Sequence, residues 1–184
     1  KIPLDRLTVQ GGETLHDVAI RALSEIPGHA QEKVTDLTAL VKAGKSRDSA
    51  IHALRAIPTK DWPAKEVRPL VDNLVGYLSE IPTKFRTGPQ ASEAMALARA
   101  LSETLPSDQG QAIRDRLANL DVRVIAVGTV PHRMIYDKER IVVQAGKPVE
   151  FRFSNSDNMP HNFAILRPGA LAEVGMLAES TARD

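Results

Sequence analysis

Asp121-Val122-Arg123-Val124-Ile125-Ala126-Val127-Gly128 is where the period of this chain changes. Upstream, apolar residues recur every three or four positions, the spacing that lines one face of a helix. Here they come as a short β-branched run closed by a glycine, which reads as a strand. The change divides the sequence into a helical part, residues 1–120, and a β part, residues 121–184.

The helical pattern runs from Thr14 to about Leu120 and partly repeats. Ala19-Ile20-Arg21-Ala22-Leu23 followed by Ile26-Pro27 returns as Ala50-Ile51-His52-Ala53-Leu54 followed by Ile57-Pro58, about 31 residues later. A looser copy begins at Ala94-Met95-Ala96-Leu97, about 44 residues further on. Ala19, Ala22, Leu23 and Ile26 make one apolar stripe that a lone helix cannot bury, so stacked copies are expected. Proline after each run stops the helix, because it lacks an N–H and restricts the residue before it. Partner helices with the same period lie between the copies, at Lys33 to Ala43 and Ala64 to Ile81, and further ones at Ala91 to Leu105 and Asp108 to Leu120, the last with Ser107 or Asp108 as N-cap. The repeat resembles HEAT-type helical pairs, and a plain helical bundle is the alternative.

Downstream of Gly128, Arg140-Ile141-Val142-Val143-Gln144 reads as a strand, Ala145-Gly146-Lys147 as a turn and Pro148 to Asn155 as a second strand. Val149, Phe151 and Phe153 alternate there with Glu150, Arg152 and Ser154, giving a dry face and a wet one. Phe163-Ala164-Ile165-Leu166 is another short apolar run, and Ala170 to Glu179 is a possible short helix. Hairpin spacing with this alternation leads to an antiparallel sandwich as the expectation. The fold class expected is therefore α+β in two domains, an α-helical repeat domain followed by a partial antiparallel β-sandwich.

The 184 residues are 42% apolar, enough for one large core or two small ones. A net charge of +1, from 24 basic and 23 acidic residues, gives no field to steer the chain to nucleic acid or anionic lipid. No window approaches the roughly 20 apolar residues of a membrane span, and Lys1-Ile2-Pro3-Leu4-Asp5 lacks the apolar core of a signal peptide. A first residue other than Met reads as a processed or excised chain. Without cysteine there can be no disulfide, thiolate nucleophile or zinc–thiolate site within these residues.

Chemistry converges on Asp157-Asn158-Met159-Pro160-His161-Asn162-Phe163, a turn that places an imidazole beside a rigid proline and an apolar wall. This loop, with the strand–turn–strand before it, resembles the first copper-ligand loop of the cupredoxins, the plastocyanin and azurin group of blue copper proteins. The resemblance covers roughly Asp121 to Asp184, about the first half of that fold. It implies that His161 is a copper ligand and that Asn162 ties the loop to the one bearing the cysteine ligand. It also implies electron transfer rather than an enzyme reaction, a periplasmic or otherwise extracytoplasmic location, and a redox partner such as a c-type cytochrome or a dehydrogenase domain. In this reading the helical repeats serve as a docking element. A blue copper site needs two imidazoles and a thiolate in one plane with a weak axial ligand. After His161 there is neither a cysteine nor a further histidine, and Met176 is the only methionine, so the missing ligands are expected beyond Asp184.

Other readings stay open. His161 could be a loop histidine capping a turn, and the chain a non-redox interaction module whose sandwich is structural. His132, in Val130-Pro131-His132-Arg133-Met134, is a weaker candidate ligand because it precedes the loop. His16, His29 and His52 stand near helices without companions at ligand spacing, and Met95, Met134 and Met159 read as packing residues. Asp115 between Arg114 and Arg116, and Asp137 with Glu139, read as solvated faces. Trp62 is a contact surface or a plug over helix ends. No phosphate loop, Gly-x-Ser-x-Gly or His-Glu-x-x-His occurs.

Overall fold

Thr14 starts the first helix. Its hydroxyl accepts the Asp17 N–H at 3.1 Å while the Asp17 carboxylate accepts the Thr14 N–H at 3.0 Å, a reciprocal cap that satisfies two orphan donors. The computed structural model describes residues 14–181, so the Lys1–Asp5 stretch lies outside it. Helix α1 is Leu15–Glu25, followed by α2 at Ala30–Ala43, α3 at Arg47–Arg55, α4 at Ala64–Glu80, α5 at Pro89–Ser102 and α6 at Ser107–Leu120. Gly44 ends α2 at φ 68°, a left-handed conformation that glycine adopts without Cβ strain. Ile57-Pro58-Thr59-Lys60 and Ile81-Pro82-Thr83-Lys84 make the same exit from two helices, a single 3-10 turn in which Asp61 and Phe85 donate back to the proline carbonyl.

These helices form two layers. Helices α1, α3 and α5 neighbour one another in one, α2, α4 and α6 in the other, and α2 meets α3 as α4 meets α5 across them. The α4 stripe Val67, Leu70, Val71, Leu74, Val75 and Leu78 is buried between them, with Val34, Leu37, Leu54, Leu101, Ile113 and Leu117 packed around it. Each such side chain is worth roughly 1.5–3 kcal/mol of burial. Trp62 is a plug: it is buried and its Nε1–H donates to the Ile57 carbonyl at 3.0 Å. Pro69 sits inside α4 rather than ending it. At α6 the cap is Pro106 and Ser107 is the first helical residue, so neither Ser107 nor Asp108 plays the expected N-cap role.

The expected antiparallel β-sandwich is overturned. The described residues hold seven helices and two strands, β1 at Arg123–Gly128 and β2 at Val149–Ser154, and the strands run parallel. Register shows the direction, since Arg123 N–H donates to the Pro148 carbonyl at 3.3 Å and Thr129 N–H to the Ser154 carbonyl at 3.2 Å, both partners advancing together. The turn at Gly146 forms, with φ 76° and a bond from Lys147 N–H to the Gln144 carbonyl, but no hairpin flanks it. Arg140–Gln144 is irregular with Val142 and Val143 exposed, and Phe163–Leu166 is irregular with Ile165 exposed. A period of two is the same for parallel and antiparallel pairing, so alternation says nothing of direction. Nor does a dry face require a second sheet: here it meets aromatic rings from loops. The chain is mainly helical, and closes with α7 at Leu171–Thr181.

Two compact units result, one taking the chain up to Arg123 with Gln144–Glu150, the other Val124–Val143 with Phe151 onward.

Candidate functional site

In the second unit, Phe151 and Phe153 leave β2 on one face and meet Phe163 from the following loop. Phe153 stacks on Phe163 at 5.3 Å between ring centres and 10° between planes, Phe151 lies 5.9 Å from Phe163, and Tyr136 closes edge-on against Phe163 at 5.6 Å and Phe153 at 6.1 Å. Offset and edge-on contacts of this kind suit the ring quadrupoles. The Tyr136 hydroxyl donates to the Asn162 carbonyl, so the wall is fixed to the loop beside it.

Polar ties hold the rest of the loop. Thr129 Oγ1 donates to Asn155 Oδ1 at 3.1 Å and accepts from Ser156 N–H at 3.1 Å, and Asn155 Nδ2 donates to the Met159 carbonyl at 2.8 Å. Tyr136 itself is positioned by a tight reversal in which Val130 N–H donates to the Ile135 carbonyl and Asp137 N–H to the Gly128 carbonyl. Gly128 N–H returns a bond to Asp137 Oδ1 at 2.8 Å.

Asp157 stands at the centre. Its side chain is 1% exposed and that of His161 is 5% exposed, with Oδ2 and Nε2 3.3 Å apart. The same Oδ2 accepts the His132 N–H at 2.8 Å, and Oδ1 accepts the Asn158 N–H at 2.7 Å. Burial alone would raise this carboxyl, but donation from His132, His161, Asn158 and Met159 outweighs it and holds Asp157 below the ordinary carboxylate range. An ionised carboxylate only accepts, so the ring nitrogen facing it carries a proton and the lone pair of the neutral imidazole lies on Nδ1. Among the described residues no hydroxyl bonds to that ring, so a Ser-His-Asp relay is not assembled.

Of the histidines, His161 alone is enclosed in this way. His132 enters through its backbone, at φ 61°, rather than as a second imidazole. His16 bonds Ser46 at 2.9 Å, His29 pairs with Glu32 at 3.0 Å and His52 with Glu93 at 3.2 Å. Met95 is a core residue, whereas Met134 is largely exposed and Met159 partly so.

As a copper site the donor set fits in one position only. A buried imidazole backed by a carboxylate is the usual form of a metal-binding histidine. Among the described residues no three His, Cys, Asp or Glu side chains gather to hold an ion, and none of the 184 residues is a cysteine.

The helical unit has a cleft of about 350 Å³ lined by Asp17, Arg21, Asp48, Ser49, His52 and Glu93 among others. Two of its carboxylates are met internally: Ser49 donates to Asp17 at 2.8 Å, and His52 and Arg55 both pair with Glu93. Burial pushes the Asp48 carboxyl up, and Glu93 and Asp17 add to this against the counter-pull of Arg47. The Ser49 hydroxyl is held by the Asp17 carboxylate there, and among the described residues no imidazole bonds to it. The enclosed His161 has the more specific geometry.

No helix among the described residues is long and apolar enough to cross a membrane. Comparison with family models, with curated proteins and with solved structures finds no match to this chain.

Proposed function

We propose that the second unit supplies one imidazole, His161, to a mononuclear copper centre that passes electrons, the thiolate and remaining ligands coming from outside these 184 residues. The helical unit then serves as the docking or spacing element toward a redox partner, such as a c-type cytochrome or a dehydrogenase domain, in an extracytoplasmic compartment. The observation that carries this reading is the His161 ring, enclosed and backed by the Asp157 carboxylate at 3.3 Å. Copper bound there would supply a one-electron couple. The protein's own contribution is rigidity and dryness: the polar ties of the loop and the Asp157 carboxylate restrain the imidazole, whose side chain is 5% exposed.

A non-redox interaction module is the second reading, favoured by the apolar surface that Met134, Ile135, Leu171 and Met176 leave exposed. One experiment separates the two. The natural protein carrying this sequence is captured, its intact mass compared with the 20.0 kDa of these residues, and its visible spectrum recorded after copper addition. A larger mass with a blue thiolate-to-copper band that His161→Ala abolishes is the expected result. A protein of 20.0 kDa, which has no thiolate, or a band that survives His161→Ala, overturns the copper reading.

A further inference from the structure

We infer that Asp157 is the positioning residue of the His161 imidazole, fixing its proton on Nε2 and its plane within the loop, an assignment whose metal-binding significance rests on the reading of His161 as a ligand. A carboxylate that merely capped its own turn would need only the N–H groups just after it. Asp157 does take the Asn158 N–H on Oδ1, but its other oxygen is shared between the His161 ring and the N–H of His132, which lies 25 residues earlier in sequence. That one oxygen joins the reversal at residues 130–135 to the ligand loop. The join accounts for His132: a non-glycine residue at φ 61° is strained, and its N–H donation to a buried carboxylate holds it there. The ring cannot turn over without surrendering a charge-assisted bond inside a site 1–5% exposed.

The donor count makes Asn a discriminating replacement. Four N–H groups face the Asp157 oxygens, those of the His161 ring and of the His132, Asn158 and Met159 backbone, and an amide has one oxygen and one NH₂ to meet them. If the NH₂ takes the side of the ring, it donates to Nε2 and drives the proton to Nδ1; if it takes the other, it faces the Asn158 N–H. The test is nitrogen-15 NMR of the ring in the metal-free 184-residue chain, with His161 assigned by His161→Gln. In the parent chain a slowly exchanging Nε2–H is expected. In Asp157→Asn its exchange is expected to quicken about ten-fold or more, with the tautomer moving toward Nδ1–H. Because the Asn oxygen can also take the side of the ring and leave the tautomer in place, Asp157→Ala, which offers the ring no acceptor, is measured beside it, and an Nε2–H whose tautomer and exchange rate are unchanged in Asp157→Ala overturns the assignment. So does a parent chain without a protected Nε2–H, which decides the matter even if Asp157→Asn fails to fold. Because no metal is present, the result is independent of copper: a protected Nε2–H in a protein that never turns blue keeps Asp157 in its role and removes the copper reading alone.

Discussion

Asp17 ties α1 to its own N-terminus and, through the Ser49 hydroxyl at 2.8 Å, to α3. Burial opposes its charge, but the hydroxyls of Thr14, Ser49 and Ser46 and the Thr14 N–H more than offset that, and its pKa falls from 3.8 to about 2. The folded carboxyl therefore binds protons less readily than the unfolded one. Its stabilisation is complete above pH 3.8 and is lost as pH falls toward about 2. With solvent screening of this partly exposed group allowed for, the loss is on the order of 1 kcal/mol. Asp17→Asn should lower the melting temperature at neutral pH and flatten its slope between those pH values; an unchanged slope would show that Asp17 is not the group responsible. At this scale the sequence was uneven. His161 was legible because proline, imidazole and aromatic adjoin in one loop, but Tyr136 and Thr129 were not, since each reaches the loop across 26 residues or more that carry no local pattern. Asp157 lay inside the stretch that drew attention, yet its role depends on His132, which only the folded chain brings close.

Elements follow the same division between what a short window encodes and what it does not. Helices α2 to α5 were readable because their apolar stripes repeat within two turns and prolines or glycines close most of them. Strand pairing was not, because partner and direction are properties of two distant segments. Val149–Ser154 alternates as any half-buried strand does, and it pairs in parallel with Arg123–Gly128 instead of antiparallel with Arg140–Gln144. Close helix approach is likewise set by pairs of segments, and Gly110 is the clearest case. It starts the core-facing side of α6 where α5 ends, and a Cβ added there would stand 2.3 Å from the Ser102 carbonyl oxygen. That oxygen belongs to backbone and cannot swing aside. Gly110→Ala, which would otherwise favour a helix, should instead cost about 1–3 kcal/mol as α6 is pushed off α5. A lower urea midpoint at an unchanged slope is the expected reading, and an unchanged midpoint would mean the contact relaxes freely.

Across the whole molecule, apolar burial is distributed very unevenly between the two units. The helical unit buries Leu54, Leu70, Leu74, Leu78 and Leu101 completely. Among the described residues of the second unit only Ile125, Val127 and Ala170 are buried apolar side chains, while Met134, Ile135, Ile165, Leu171 and Met176 are exposed. The aromatic wall and the polar ties around Asp157 hold geometry locally, but hydrogen bonds contribute little net stability beside burial. The second unit should then open at a free energy well below that of the first, with amides around residues 129–163 at least ten-fold less protected from hydrogen exchange than those of α4, a difference of about 1.4 kcal/mol or more. Native-state exchange with mass-spectrometric readout measures both in one sample. Equal protection would mean that loop ties and stacked rings stabilise the unit as well as a helical core does. The expected gap has a functional corollary: ligands or chain segments that cover the apolar surface and complete the site around His161 should raise protection there and leave α4 unchanged, because whatever binds the closed form alone stabilises it by mass action.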